Sequence, residues 1–428
     1  MVKNGGEYAD TGIGKLYFKE DMVKKILCAI AAAFAMTTLF ALDSPFFSGY
    51  AGIMGDITND SSSTTFAPQM TTQAFFAGQF EFGGCFLLRS ELSLKTDDIL
   101  KNGLFKETDS KFKVNELSIT FHQRSLSASH FISLFLGNYE PIGSDVFLQR
   151  QFGIKPITSL VTESWNGMCG SSVYPFYGMG GSYVVRFEQP FAVGLYAFAN
   201  NDDTTSENVL NLDLRFACVL RNFSFDFSAG LAFPHEQSIS ETGEKVVLLI
   251  RTETLHAGFN MLLGNRYALS LFIQAGFSNL DLSPDDGSTL SIDSDNLYVF
   301  FEPRLATRQF TLNLSVFSIP QESIDDMLYL HDTLGANLCI VTDHLYLENT
   351  NFTFGIHTTL SFPSKSIMDA IEDYANILSW DRKLYVTPFT SMPLLNGELK
   401  SSVSVSCLDL ASDWKSAIKA TVGFKTQM

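Results

Sequence analysis

Residues 209–233 read VLNLDLRFACVLRNFSFDFSAGLAF, and two interleaved rows run through them. Leu210, Leu212, Leu214, Phe216, Cys218 and Leu220 form one row; Asn211, Asp213, Arg215, Ala217 and Val219 form the other. After Arg221-Asn222 the pattern restarts, with Phe223, Phe225, Phe227, Ala229, Leu231 and Phe233 against Ser224, Asp226, Ser228, Gly230 and Ala232. A strand sends alternate side chains to opposite faces, so this is a hairpin with one greasy face and one polar, partly charged face. A water-soluble sheet turns the Leu/Phe row inward to a core. A membrane barrel turns it outward to lipid and keeps the Asp/Arg row in a wet lumen.

The same alternation recurs along the chain. Phe76, Phe80 and Phe82 oppose Gln73, Gln79 and Glu81, and Leu88, Leu92 and Leu94 oppose Arg89, Glu91 and Ser93 across Gly83-Gly84. Leu117, Ile119 and Phe121 oppose Glu116, Ser118, Thr120 and His122; Tyr183, Val185 and Phe187 oppose Ser182, Arg186 and Glu188. Residues 255–263 turn at Gly264-Asn265 into 267–274, and 309–316 and 351–362 repeat the motif. These units are about ten residues long, the length of a tilted membrane strand. Very short turns join them in pairs. Between pairs lie longer polar stretches: 96–113, 141–181, 201–208, 234–245, 278–296, 319–333 and 363–382. Short turns at one end and long loops at the other are the layout of an outer-membrane barrel. The polar rows are Ser, Thr, Asn, Gln and Gly with few charges, which suits a confined wet lumen better than open solvent.

Composition narrows the class. Of 428 residues, 46% are hydrophobic and only 18% charged, with 39 Phe and a formal net charge of −17, so no basic footprint for nucleic acid exists. Residues 22–41 carry Lys24-Lys25, an apolar run ILCAIAAAFAMTTLF and a small exit residue, Ala41, the pattern of a secretory signal peptide, too short to span a bilayer as a helix. Residues 1–21 read as a non-native or mis-started extension, with Met22 the true start. Cys85, Cys169, Cys218, Cys339 and Cys407 are scattered and odd in number, so neither a disulfide framework nor a metal spacing is implied.

The mature chain, residues 43–428, resembles a bacterial outer-membrane β-barrel, porin-like and of the spirochaete kind. Its end adds to the resemblance: Trp414, Ile418, Ala420, Val422 and Phe424 alternate with Lys415, Lys419 and Thr421, similar to the C-terminal strand that barrel-assembly machinery recognises. Here 413–424 is followed by Lys425-Thr426-Gln427-Met428 rather than ending the chain. The expected fold is all-β: one closed antiparallel transmembrane β-barrel of roughly 14–18 strands. Parity requires an even count, which makes 46–55 a first strand and 383–392, 398–410 and 413–424 the last three, with 16 or 18 fitting best. Residues 141–181 either fold into the lumen as a constriction or form an extracellular loop. Glu322–His331 and Ser366–Ser379 read as loop helices, the latter opened by Ser366-x-x-Asp369.

No catalytic, nucleotide or metal motif is present, so no enzyme activity and no cofactor is expected; an outer-membrane hydrolase would need His122, His256 or His357 beside a Ser or Asp. The candidate functional residues are the inward charges Arg89, Glu91, Arg186, Glu188, Asp213, Arg215, Asp226, Arg266, Glu302 and Arg304. They either set a transverse field for permeation or fill the interior as interstrand salt bridges. The turn at Arg221-Asn222 places Asp226 opposite Ala217, in diagonal reach of Arg215 or Val219. The function expected is passive passage of small solutes across the outer membrane, with outer-membrane lipid as surroundings. The alternatives are a non-conducting surface barrel whose loops act as an adhesin, and a secreted soluble β-sandwich.

Overall fold

The alternation becomes one sheet. In a computed structural model the described residues are 46–59, 67–96, 98–102, 111–164, 173, 177–201, 208–239, 245–250, 253–282, 296–324, 327–347, 350–411, 414–415 and 417–427. The expected extension 1–21 and signal peptide 22–41 lie outside them. The strands are β1 Phe46–Asn59, β2 Pro68–Phe82, β3 Phe86–Lys95, β4 Lys111–Arg124, β5 Ala128–Gly137, β6 Gly178–Phe187, β7 Phe191–Asn201, β8 Asn208–Leu220 and β9 Phe223–Ile239. They continue as β10 Lys245–Ile250, β11 Thr254–Gly264, β12 Leu269–Asp281, β13 Leu297–Ala306, β14 Phe310–Ser318, β15 Leu334–Leu347, β16 Thr350–Phe362, β17 Lys383–Leu394, β18 Gly397–Ser406 and β19 Ile418–Gln427.

Each strand pairs antiparallel with its neighbours, and β19 pairs with β1 from Tyr50↔Gln427 to Ile57↔Ala420, which closes the ring. β10 and β11 lie end to end beside β9, pairing Lys245↔Ile239 and Leu263↔Phe223 at their extremes. They share one position, so the barrel has 18 strands. A sheet closed on itself is not a two-layer sandwich, so the soluble-sandwich alternative does not describe this chain. Closure also removes the edge that an open sheet leaves unpaired.

Some expected boundaries shift. Residues 234–245, expected as a loop, are mostly strand, because β9 runs to Ile239 and β10 begins at Lys245. The last strand begins at Ile418 rather than 413, since residues 407–411 turn and Ala417 N-terminal to it hands its carbonyl to Ser406. The strand then extends through Lys425 to Gln427 because β1 supplies partners that far. The helices are α1 Ile99–Asn102, α2 Val146–Phe152, α3 Gln321–Ile324 and α4 Ile367–Glu372; the expected 322–331 helix shrinks to α3, and 366–379 to α4 plus a 3-10 turn at Ile377–Ser379. The Ser366/Asp369 capping box is formed.

Among the described residues, short turns gather at one end with the start of β1 and the end of β19; the long connections are at the other. The rows divide on β8, with Cys218 of the outward row the exception, buried at 8% exposure. Leu210, Leu212, Leu214, Phe216 and Leu220 point outward and are exposed, Leu212 by 49%, whereas Asn211, Asp213 and Arg215 face inward and are buried. Ile132, Leu134, Leu195, Phe301, Leu314, Val316, Leu338, Ile340, Phe354, Leu360 and Val422 extend the exposed apolar belt round the wall.

Candidate functional site: the loop docked in the lumen

The connection from β5 to β6 leaves the long-loop end and turns inward. Gly137 makes the turn: its φ is +103°, and a Cβ there would collide with the Asn115 carbonyl, so only glycine launches the loop at this angle. The chain next forms helix α2, Val146–Phe152, closed by a left-handed Gly153. Of the two readings of 141–181, the described part takes the inward one: Phe147, Leu148, Ile157 and Val161 are buried inside the barrel.

What they meet explains why. The inward face of the wall carries Phe198, Leu262, Phe272, Tyr298, Phe300 and Phe317, which with the loop side chains form one buried apolar cluster. These positions interrupt the Ser/Thr/Asn rows, and the alternation pattern alone gives no reason for them. A wet lumen was the expectation; this sector is instead a dry core, because the loop brings an apolar face of its own. Burying each such side chain contributes about 1.5–3 kcal/mol.

The inward arginines hold the loop's backbone. Arg215 is locked to Asp226 by two bonds, Nε–Oδ1 2.8 Å and Nη2–Oδ2 2.6 Å, the fork-to-fork geometry that orders both groups. Its remaining nitrogen donates to the Glu140 carbonyl, and its guanidinium lies 4.3 Å above the Phe147 ring. The pair follows from the hairpin register, in which Ala217 faces Asp226. Arg304 donates to Glu302 (2.6 Å) and to the Ile157 carbonyl (2.7 Å). Glu302 in turn accepts from the loop hydroxyl of Ser159 at 2.6 Å and from Ser315. Arg186 donates to the Gln151 carbonyl at 2.7 Å, and Arg266, half-buried in its turn, reaches the carbonyl of the exposed Lys155 at 3.4 Å. Thus four arginines read from the sequence meet carbonyls of one segment, from Glu140 near its mouth to Lys155 by the short turns. Carbonyls buried away from water need such donors.

The other candidates lie elsewhere. Asp213 bonds His256 at 2.9 Å. Arg89 donates to Gln79 at 2.8 Å, and Glu91 accepts from Asn115 at 3.3 Å. Glu188 is exposed in the turn after β6, beyond the lumen wall and away from Arg186's partner. The histidines are dispersed: His122 stacks on Phe131, His256 meets Asp213, and His357 stacks on Tyr329.

Several residues escaped the sequence reading. Arg150 of α2 pairs with wall Glu116 (2.6 Å) and lies 3.6 Å from Glu140, which also accepts from Tyr196 at 2.6 Å. Glu116 stood in an inward row; Arg150 stood in the long loop, where nothing marked its partner. Within the loop, Asp145 accepts from the Ile157 and Thr158 N–H groups at 3.0 and 2.9 Å. Burial pushes its carboxyl above the usual range against the pull of Thr158. The connection from β14 to β15 also folds inward. Ser164 and Met327 form an isolated bridge, Leu328 N–H donates to the Glu163 carbonyl, and Lys400 of β18 grips the Glu163 carboxylate at 2.6 Å. His331 of this second loop contacts Ser404 at 3.2 Å and lies tilted against Tyr385, ring centroids 4.6 Å apart; burial, then Lys419 and Lys383, lower it to about 4.

No family model and no curated protein matches the chain. Among solved structures it is similar to a double mutant and two triple mutants of the Rhodopseudomonas blastica porin. Each is 9% identical, with 90% of this chain and 100% of that chain covered and a TM-score of 0.40. The fold assignment rests on this chain's own strand pairing.

Proposed function

We propose that the chain is a porin-like channel of the bacterial outer membrane, through which small solutes pass passively along a lumen narrowed by the docked loop. The carrying observation is the inversion of the two rows: Leu and Phe stand exposed outside while Asp, Arg, Ser and Thr are buried inside. An apolar belt that runs round a closed wall is unfavourable in water and favourable in acyl chains. The even strand count supports the orientation, with both barrel ends and the short turns on the periplasmic side and the long connections at the cell surface. In this reading residues 22–41 direct export, and the final strand is what assembly machinery engages; its observed extent makes Ile418–Gln427 that strand.

Passage runs past the docked loop rather than through its sector, because the cluster around Phe147 leaves that side dry. The same filling favours a second reading, a surface barrel that does not conduct and acts through its loops. Planar-bilayer recording of the refolded mature protein separates them. Discrete conductance steps are the expected result. Sealed barrels that insert without conductance support the surface-binding reading, and partition into the aqueous phase of a detergent mixture contradicts both.

A further inference from the structure

The connection from β16 to β17, residues 363–382, carries apolar side chains that neither the lumen nor the wall accounts for. Phe362 ends the outward row of β16 that includes the exposed Phe354 and Leu360. Trp380 packs edge-on against it, ring centroids 5.7 Å apart, so the apolar row continues past the end of the strand into the connection. The Trp380 indole N–H donates to Asp373 at 3.2 Å, and Lys365 Nζ lies 4.8 Å over its ring.

The helix between these anchors is fixed. Ser366 and Asp369 form its capping box, Ile367 N–H donates to Ser318 Oγ at 3.1 Å, and Thr333 Oγ1 donates to the Lys365 carbonyl at 2.6 Å. A stripe at every third residue is left outward: Met368, Ile371 and Tyr374, exposed by 39%, 63% and 77%. Of the acidic groups nearby, Asp369 bonds within the capping box and Asp373 bonds Trp380 and Asn376, while Glu372 and Asp381 stand exposed beside the stripe.

Resting on the membrane-spanning reading of the barrel, we propose that residues 366–380 are an interfacial foot that seats Met368, Ile371 and Tyr374 in the boundary between headgroups and acyl chains of the outer leaflet. Continuity with the outward apolar row through Phe362 and Trp380 identifies lipid as the occupant. Tyr and Trp, apolar rings with a polar tip, are the side chains suited to that depth. A short amphipathic segment held in the interface plane keeps its apolar stripe in lipid while its backbone stays wet.

The test uses single-tryptophan proteins in bilayers with quenchers at known depth. Trp165→Phe with Trp414→Phe leaves Trp380; adding Trp380→Phe and Ile371→Trp moves the probe to the stripe. Leu212→Trp in the tryptophan-free background reports the wall, and heat-modifiable gel mobility confirms that each variant is folded. The expected result is quenching at 371 and 380 about twofold stronger from a quencher at the headgroup boundary, ~15 Å from the midplane, than from one deep in the chains. Quenching at both positions only by aqueous iodide, with Leu212→Trp still quenched by lipid, overturns the foot and leaves the barrel. Protection from lipid and iodide alike, lifted when an oligomer dissociates, assigns the stripe to a second copy and also overturns it. Absence of lipid quenching at 212 overturns the membrane reading itself.

Discussion

Truncating the loop's apolar anchors should open the channel while leaving its wall intact. Phe147 and Leu148 are fully buried, and both belong to the docked segment rather than to a strand. Phe147→Ala costs about 3–5 kcal/mol and Leu148→Ala about 2–5 kcal/mol where the cavity does not collapse. The guanidinium of Arg215 also loses the ring beneath it, worth about 1–2 kcal/mol in a desolvated site. The double variant therefore weakens docking by at least roughly 5 kcal/mol, which shifts the docked-to-released ratio by more than about a thousandfold. The strand ladder that closes the barrel includes neither residue. Recording in planar bilayers should show a larger conductance step than the parent protein, and limited proteolysis should cut within 146–152 while the barrel core survives and keeps its heat-modifiable mobility. Unchanged conductance together with an uncut loop would refute the idea that these contacts hold the constriction.

Other consequences follow from the same network. Arg215→Met should destabilise the barrel by about 3–5 kcal/mol by leaving Asp226 buried without its partner, and Arg215→Met with Asp226→Leu should recover much of that loss in urea unfolding of the refolded barrel. Gly137→Ala should block loop docking, read as protease cleavage beyond residue 137, because the left-handed turn admits no side chain beside Asn115. Acid should loosen the second loop. His331 is held below its ordinary 6.5 at about 4, so the released loop takes up the proton first, and docking is fully present above 6.5 and weakens as pH falls through that window. Protease sensitivity between 319 and 333 should rise from pH 7 to pH 4, and His331→Asn should flatten that rise.

Much of the barrel was legible because its signal is local. The period of two over 209–233 identified both faces, and the two-residue turn at Arg221-Asn222 fixed the register that pairs Arg215 with Asp226. The docked loop was less legible because it depends on distant partners. Arg304 and Ile157 are 147 residues apart in sequence, and Lys400 and Glu163 are 237 apart. No spacing rule links such pairs. The inward arginines were visible, but their acceptors are backbone carbonyls, which every residue carries and no sequence distinguishes. Phe272, Tyr298 and Phe300 broke the polar rows, and only the loop packed against them gives that break a reason.

The proposed channel requires greasy rows that face lipid and polar rows that face the lumen. Nitroxide labels placed one at a time from Val209 to Val219 in bilayers read that orientation residue by residue. Collision with dissolved oxygen should peak at 210, 212, 214 and 216, and access to a water-soluble nickel complex should not peak there. Oxygen access that is low at those four positions, as it would be inside a protein core, would contradict that orientation.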